Sequence, residues 1–180
     1  MSKPSKEPLL HIATIGKTVS IKGDMKLHIK CDFPEQFKKN STFLINKHNK
    51  ITLTDVDLDK GLVKINNLMY PEDCKKFTNA KLYTTYEQTR KDCHLEEDEN
   101  FWFDIEDCHV YENDVLLGVV NEVERLTASD YLSIQTDEAL VKKGLPKNFL
   151  VPYIAPFKVN IDIDKKIIIL NGAMDILEAS

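Results

Sequence analysis

From Leu9 onward the chain is a succession of short strand-like runs cut by turn residues, and little else. The early runs are 11–15, 26–30, 42–45, 51–57 and 62–65. The later ones are 101–105, 108–111, 115–123, 131–135, 149–152 and 166–170. Several alternate apolar and polar residues, as at Ile51 and Leu53 and, after a change of register, Val56 and Leu58. That period of two suits half-buried antiparallel strands. Segments 46–50, 59–61, 66–67, 112–114, 142–144 and 162–165 carry the turn chemistry to separate them. One helix is predicted, opening at Pro71-Glu72-Asp73, where free N–H groups favour negative charge. Cys74 and Phe77 share its inner face, and Asn79 can end it before 82–85 resumes an extended form. The expected fold is all-β: two small antiparallel barrels, with a short helix over the mouth of the first. Closure is expected because it removes exposed sheet edges. A single continuous β-sandwich is the alternative.

The two barrels are expected at residues 9–87 and 98–178, joined by a linker at 88–97. The stretch 87–100 is charged, has almost no apolar stripe and ends in Glu96-Glu97-Asp98-Glu99. Charge also divides there. Residues 1–90 hold 16 Lys and Arg against 10 Asp and Glu, whereas residues 91–180 hold 8 against 19. The formal balance is therefore +6 in one half and −11 in the other, and the overall −5 hides the split. A basic module joined to an acidic one points to one polyanionic and one cationic partner, a pairing met in ribonucleoprotein. The alternative is that the acidic residues only keep the second half soluble.

A hydrophobic fraction of 42% supplies real cores and excludes a disordered acidic chain. No run approaches the length of a membrane span, residues 1–8 read as a polar leader, and Met1–Leu10 lacks the apolar centre expected of a signal peptide. A cytoplasmic protein with reduced thiols at Cys31, Cys74, Cys93 and Cys108 is expected.

Chemistry-bearing residues do not assemble into a catalytic pattern. Cys93-His94 and Cys108-His109 are adjacent pairs whose side chains would point to opposite faces of an extended chain, unlike a zinc knuckle. Cys31 lies near His28 and Asp32 without the spacing of a nucleophile, base and orienter. The acids 96–99 are contiguous, not a spaced pair. Gly16 and Gly23 bracket Lys17 and Lys22 without a phosphate-cradling motif. No metal, no cofactor and no enzymatic activity are expected. Lys17, Lys22 and Lys26 are the candidates for RNA phosphate contact, with ordinary surface charge as the alternative. Phe101-Trp102-Phe103-Asp104 is the densest aromatic cluster. Read as a strand, it puts Phe101 and Phe103 on one face and Trp102 and Asp104 on the other. One face would fill a core and the other present an interface anchor, unless all of it is core.

Taken in order, these patterns resemble the RimM family of ribosome maturation factors. The matching segments begin with Ile15-Gly16-Lys17-Thr18-Val19, Lys22-Gly23-Asp24 and Asp32-Phe33-Pro34-Glu35-Gln36-Phe37. They continue through Glu72-Asp73-Cys74, Phe77-Thr78-Asn79-Ala80-Lys81-Leu82 and Glu99-Asn100-Phe101-Trp102-Phe103-Asp104-Ile105. Leu117-Gly118-Val119-Val120, Ser129-Asp130-Tyr131-Leu132 and Leu150-Val151-Pro152-Tyr153 complete the series. The resemblance covers about residues 9–178. It implies an N-terminal translation-factor-like barrel, a C-terminal PRC-barrel and a non-catalytic, monomeric assembly factor. The implied partners are the immature small ribosomal subunit, its 16S rRNA and the nineteenth small-subunit ribosomal protein. Basic residues would face rRNA, while Glu96, Glu97, Asp98 and Glu99, with Phe101 or Trp102, would face the ribosomal protein. Two departures stand out: Ser20-Ile21-Lys22-Gly23 is shorter than the family's glycine-rich connection, and Asn100-Phe101 replaces a tyrosine pair. A stand-alone RNA-binding β-barrel protein, or a small Cys/His-dependent enzyme, is the alternative function.

Overall fold

The computed structural model describes residues 8–97 and 99–180, so most of the expected leader, and Asp98, lie outside the described residues. The chain divides into two compact units, one ending at His94 and the other beginning at Leu95.

The first unit is a closed barrel of six antiparallel strands. They are β1 (Leu9–Thr18), β2 (Met25–Ile29), β3 (Thr42–Ile45), β4 (Asn49–Asp57), β5 (Leu62–Ile65) and β6 (Lys81–Thr85). Around the barrel the order is β1-β2-β5-β4-β3-β6. The sequence dictates this through alternation: in β3 and β5 every second residue is buried. Ile15, Met25, Leu53, Ile65 and Leu82 are fully inside, each worth roughly 2 kcal/mol of burial. Asn46 and Lys47 supply the left-handed residues of the β3–β4 hairpin, and the Asn46 Oδ1 accepts the Lys81 N–H at 3.0 Å. The expected short helix is present as α1 (Pro71–Cys74), which tightens into a 3-10 turn over Lys75–Phe77. A second helix, α2 (Tyr86–Asp92), follows β6 within the charged stretch. Thr85 caps it by accepting the Gln88 N–H at 3.1 Å, and Lys91 meets Glu87 at 2.6 Å one turn away.

The second unit corrects the expectation of a second barrel. Its strands are β7 (His109–Glu112), β8 (Val115–Arg125), β9 (Asp130–Thr136), β10 (Asn148–Pro152), β11 (Lys158–Asp162) and β12 (Ile167–Leu170). They form an open six-stranded sheet in the order β10-β9-β8-β7-β12-β11. The sheet is not wholly antiparallel either, because β12 runs parallel to β7 with Ile168 opposite Val110. Closure would need a ladder between the edge strands β10 and β11. A helix occupies β10 instead: α5 (Ala173–Ala179) packs against it and sends Ala173 and Leu177 into the core. Covering an edge with a helix solves the same edge problem that closure solves. Two short helices, α3 (Trp102–Ile105) and α4 (Glu138–Val141), complete the unit.

The aromatic run is a further correction. Residues 102–105 are one helical turn, α3, not a strand, with Ile105 N–H reaching the Phe101 carbonyl at 3.3 Å. Five residues, Phe101 to Ile105, are too few to separate a strand's period from one helical turn. No helix among the described residues is long and apolar enough to cross a membrane.

Candidate nucleic-acid and protein interfaces

The β1–β2 hairpin gathers the three candidate lysines. Lys17 lies near the end of β1, Lys22 in the connection and Lys26 in β2, and all three are exposed. The connection is held by its own side chains. Ser20 Oγ accepts the N–H groups of Lys22 and Asp24, each at 3.1 Å, and donates to the Asp24 carboxylate. Lys64 faces the same carboxylate at 3.8 Å. Gly23 has φ +82°, and a Cβ there would stand 2.6 Å from the Leu68 carbonyl oxygen. The Cys74 thiol reaches the Gly23 carbonyl at 3.6 Å. Glycine is therefore required where the connection presses on the segment before α1. Lys26 is partly committed, its ammonium donating to the Lys60 carbonyl at 3.1 Å. Lys17 and Lys22 have no ion-pair partner among the described residues. Ile21, Met69 and Tyr70 belong to no sequence motif, yet they are 86%, 68% and 68% exposed on the two segments that Gly23 joins. Their type predicts burial, so only placement reveals them.

The acidic candidates lie at the start of the second unit. Glu96, Glu97 and Glu99 are exposed, and Asp98 is outside the described residues. Glu99 closes this turn on Glu96, its carboxylate accepting the Glu96 N–H at 3.1 Å. Phe101 is only 5% exposed and stacks on Phe103 with ring centroids 5.0 Å apart. Trp102 packs partly on the second core, with the Arg125 guanidinium 4.9 Å from its ring. Arg125 is itself fixed by Asp130 at 3.0 Å. The acids therefore precede the aromatics along the chain, and Phe101 lies inside the second unit, not on its surface. Asn100 meets Tyr153, donating to its phenol at 3.4 Å.

The cysteines are not activated. Burial pushes the Cys93 thiol up to about 12, with the charges of Glu35 and Cys31 adding to the effect. Burial likewise raises Cys31, Cys74 and Cys108. A nucleophilic thiol needs the opposite displacement. Among the described residues no group of three or more His, Cys, Asp and Glu side chains is placed to hold a metal ion.

Comparison with known proteins accounts for both units. Residues 10–89 match the family described as RimM N-terminal domain, and residues 102–176 match the RimM PRC barrel domain. Over 180 residues the chain is 57% identical to the ribosome maturation factor RimM of Sulfurimonas denitrificans, covering all of both chains. It is 47% identical to that of a Sulfurovum species, again over the whole of both. For the Aliarcobacter butzleri protein the identity is 46% over 172 residues, 95% of this chain and 97% of that one. With both halves matched in order, the chain belongs to the RimM family of ribosome maturation factors.

Proposed function

We propose that this protein binds the immature small ribosomal subunit in the cytoplasm through two surfaces of opposite charge and assists maturation of 16S rRNA without catalysis. The carrying observation is that the charge split coincides with the division into two units. Residues 1–94 hold 17 Lys and Arg against 11 acids, and residues 95–180 hold 7 against 18. The balances are +6 and −11, each confined to a unit with its own core. The first unit is assigned to rRNA, with Lys17, Lys22 and Lys26 neutralising phosphates. The second is assigned to a basic ribosomal protein, the nineteenth of the small subunit. There Glu96–Glu99 steer association, and Trp102, rather than the buried Phe101, supplies the apolar contact. The factor acts as a monomer and favours one state of the subunit because it binds that state more tightly. Release follows when maturation removes the preference.

Binding to immature and mature small subunits at several salt concentrations tests this reading. The wild-type chain should prefer the immature subunit, and equal affinity for both would rule the reading out. Lys17→Glu/Lys22→Glu/Lys26→Glu should weaken binding and flatten the slope against log salt by roughly two, since each lost phosphate contact removes about 0.7–0.9. An unchanged slope with the fold intact would dismiss this hairpin as the RNA contact. Reversing Glu96, Glu97 and Glu99 should slow association several-fold while leaving dissociation nearly unchanged, as steering charges act mainly before contact. An effect on dissociation alone would contradict the steering role.

A further inference from the structure

We infer that Ile21, Met69 and Tyr70 form a stacking and wedging platform for unpaired nucleotides of single-stranded RNA, a site that the lysine hairpin alone does not define. This inference rests on the assignment of the first unit to rRNA. The platform is built from two backbone segments locked together. Gly23 presses on the Leu68 carbonyl, and Ser20 fixes the turn that carries Ile21. On the other side Asn66 and Asn67 take left-handed φ values of 50° and 56°. The Asn66 side chain accepts the Thr52 N–H at 2.8 Å, and Leu68 N–H bonds the Ile65 carbonyl at 2.9 Å. Tyr70 then starts α1, its carbonyl accepting the Asp73 N–H at 3.1 Å. The three side chains are thus held in water by ordered backbone, at 86%, 68% and 68% exposure. Single exposed apolar side chains are ordinary, but three on two segments that meet at Gly23 and Leu68 make a grouped patch, the arrangement that interaction surfaces use.

Charge and side-chain type select the occupant. Lys17 and Lys22 flank Ile21 in the chain, and Lys75 and Lys76 follow Tyr70 within two turns, all four exposed. The acids nearby are Glu72 and Asp73 at the helix start, Asp24, which Ser20 and Lys64 already hold, and Asp55 and Asp57, which line one pocket with Asp24, Lys60 and Lys64, with Asp57 paired to Lys60. A cationic rim repels basic ribosomal proteins and attracts phosphate. Within it an aromatic ring offers a face on which any base can stack, and aliphatic side chains are the wedges that separate stacked bases. The Tyr70 ring stacks on no other described ring, so its face is available. Apolar centre, aromatic face and lysine rim together match a single strand of RNA.

The test uses the full chain and a short single-stranded RNA carrying 2-aminopurine. Binding should quench the fluorescent base as it stacks. Tyr70→Ala should lower affinity roughly tenfold and abolish the quench, whereas Tyr70→Phe should keep both, because stacking needs the ring and not the hydroxyl. Tyr70→Ala should also weaken binding to immature subunits without altering the salt slope, since no charge is lost. Circular dichroism and melting should be unchanged in both variants. Equal affinity and quench in Tyr70→Ala and wild type would overturn the platform, even if the lysine variant still loses subunit binding. If the RNA does not bind while Tyr70→Ala still weakens subunit binding, the patch serves a protein and the RNA assignment is overturned. Failure of the wild-type chain to bind immature subunits at low salt would instead sink the proposed function, whatever the oligonucleotide does.

Discussion

Glu112→Ala is expected to destabilise the second unit by about 3 kcal/mol, among the largest effects available to a single polar side chain here. Glu112 ends β7 and is 8% exposed. Its two carboxylate oxygens accept the N–H groups of Gly172 and Met174 at 2.6 and 2.7 Å. Those donors belong to the first turn of α5, which has no partner for them within the helix. A carboxylate there also meets the positive end of the helix dipole. Alanine would strand two donors beside a core and loosen the helix that covers β10. Glu112→Gln keeps one acceptor and its shape, and should cost roughly half as much. Thermal unfolding checks the pair: for a unit of this size 3 kcal/mol lowers Tm by more than about 12 °C. Equal melting of the alanine variant and wild type would mean that the helix is held by Ala173 and Leu177 alone.

How far these features were legible in sequence differs between the units. In the first barrel, runs 42–45 and 62–65 alternate cleanly, 51–57 alternates as far as Leu53 and then changes register, and asparagine or glycine turns bound all three, so local chemistry suffices. The second sheet needed information that local patterns lack. One of the two neighbours of β12 is β7, more than fifty residues earlier, and a parallel pair leaves no hairpin to read. Strand β11 has no buried residue and no alternation, because it lies at the sheet edge. Helix α5 did leave a trace: Ala173 and Leu177 are four apart, with Asp175 in the first turn. Among the site residues the lysines were legible because charge predicts exposure. Phe101, a candidate contact by sequence, is buried, whereas Ile21 and Tyr70, which no sequence pattern marks, are exposed. Aromatic and aliphatic residues carry no sequence mark of which side of the surface they occupy.

The same open sheet sets the second large effect, at a position where a single methyl group is too much. Gly118 lies mid-β8 and is buried between β7 and β9, opposite Val110 on one side and Thr136 on the other. A Cβ at this residue would stand 2.0 Å from the Gln135 carbonyl oxygen and 2.9 Å from its carbon. Both atoms are backbone of β9, so no side chain can rotate away. Relief requires β8 and β9 to separate, and these strands form the longest ladder of the sheet, from Gly118 to Arg125. Overpacking ordinarily costs about 1–3 kcal/mol when side chains can shift. With a rigid ladder in the way, Gly118→Ala should cost about 3 kcal/mol or more, a large share of the roughly 5–15 kcal/mol that stabilises a domain. The barrel, whose strands lie between Leu9 and Thr85, has a core of its own and should remain folded. Unfolding of the variant is therefore expected in two stages, with the second unit melting first. Hydrogen exchange would locate the loss: amides of 115–136 should lose protection while those of 9–65 keep it. A variant that melts like wild type would show that β8 bends locally to admit the methyl group.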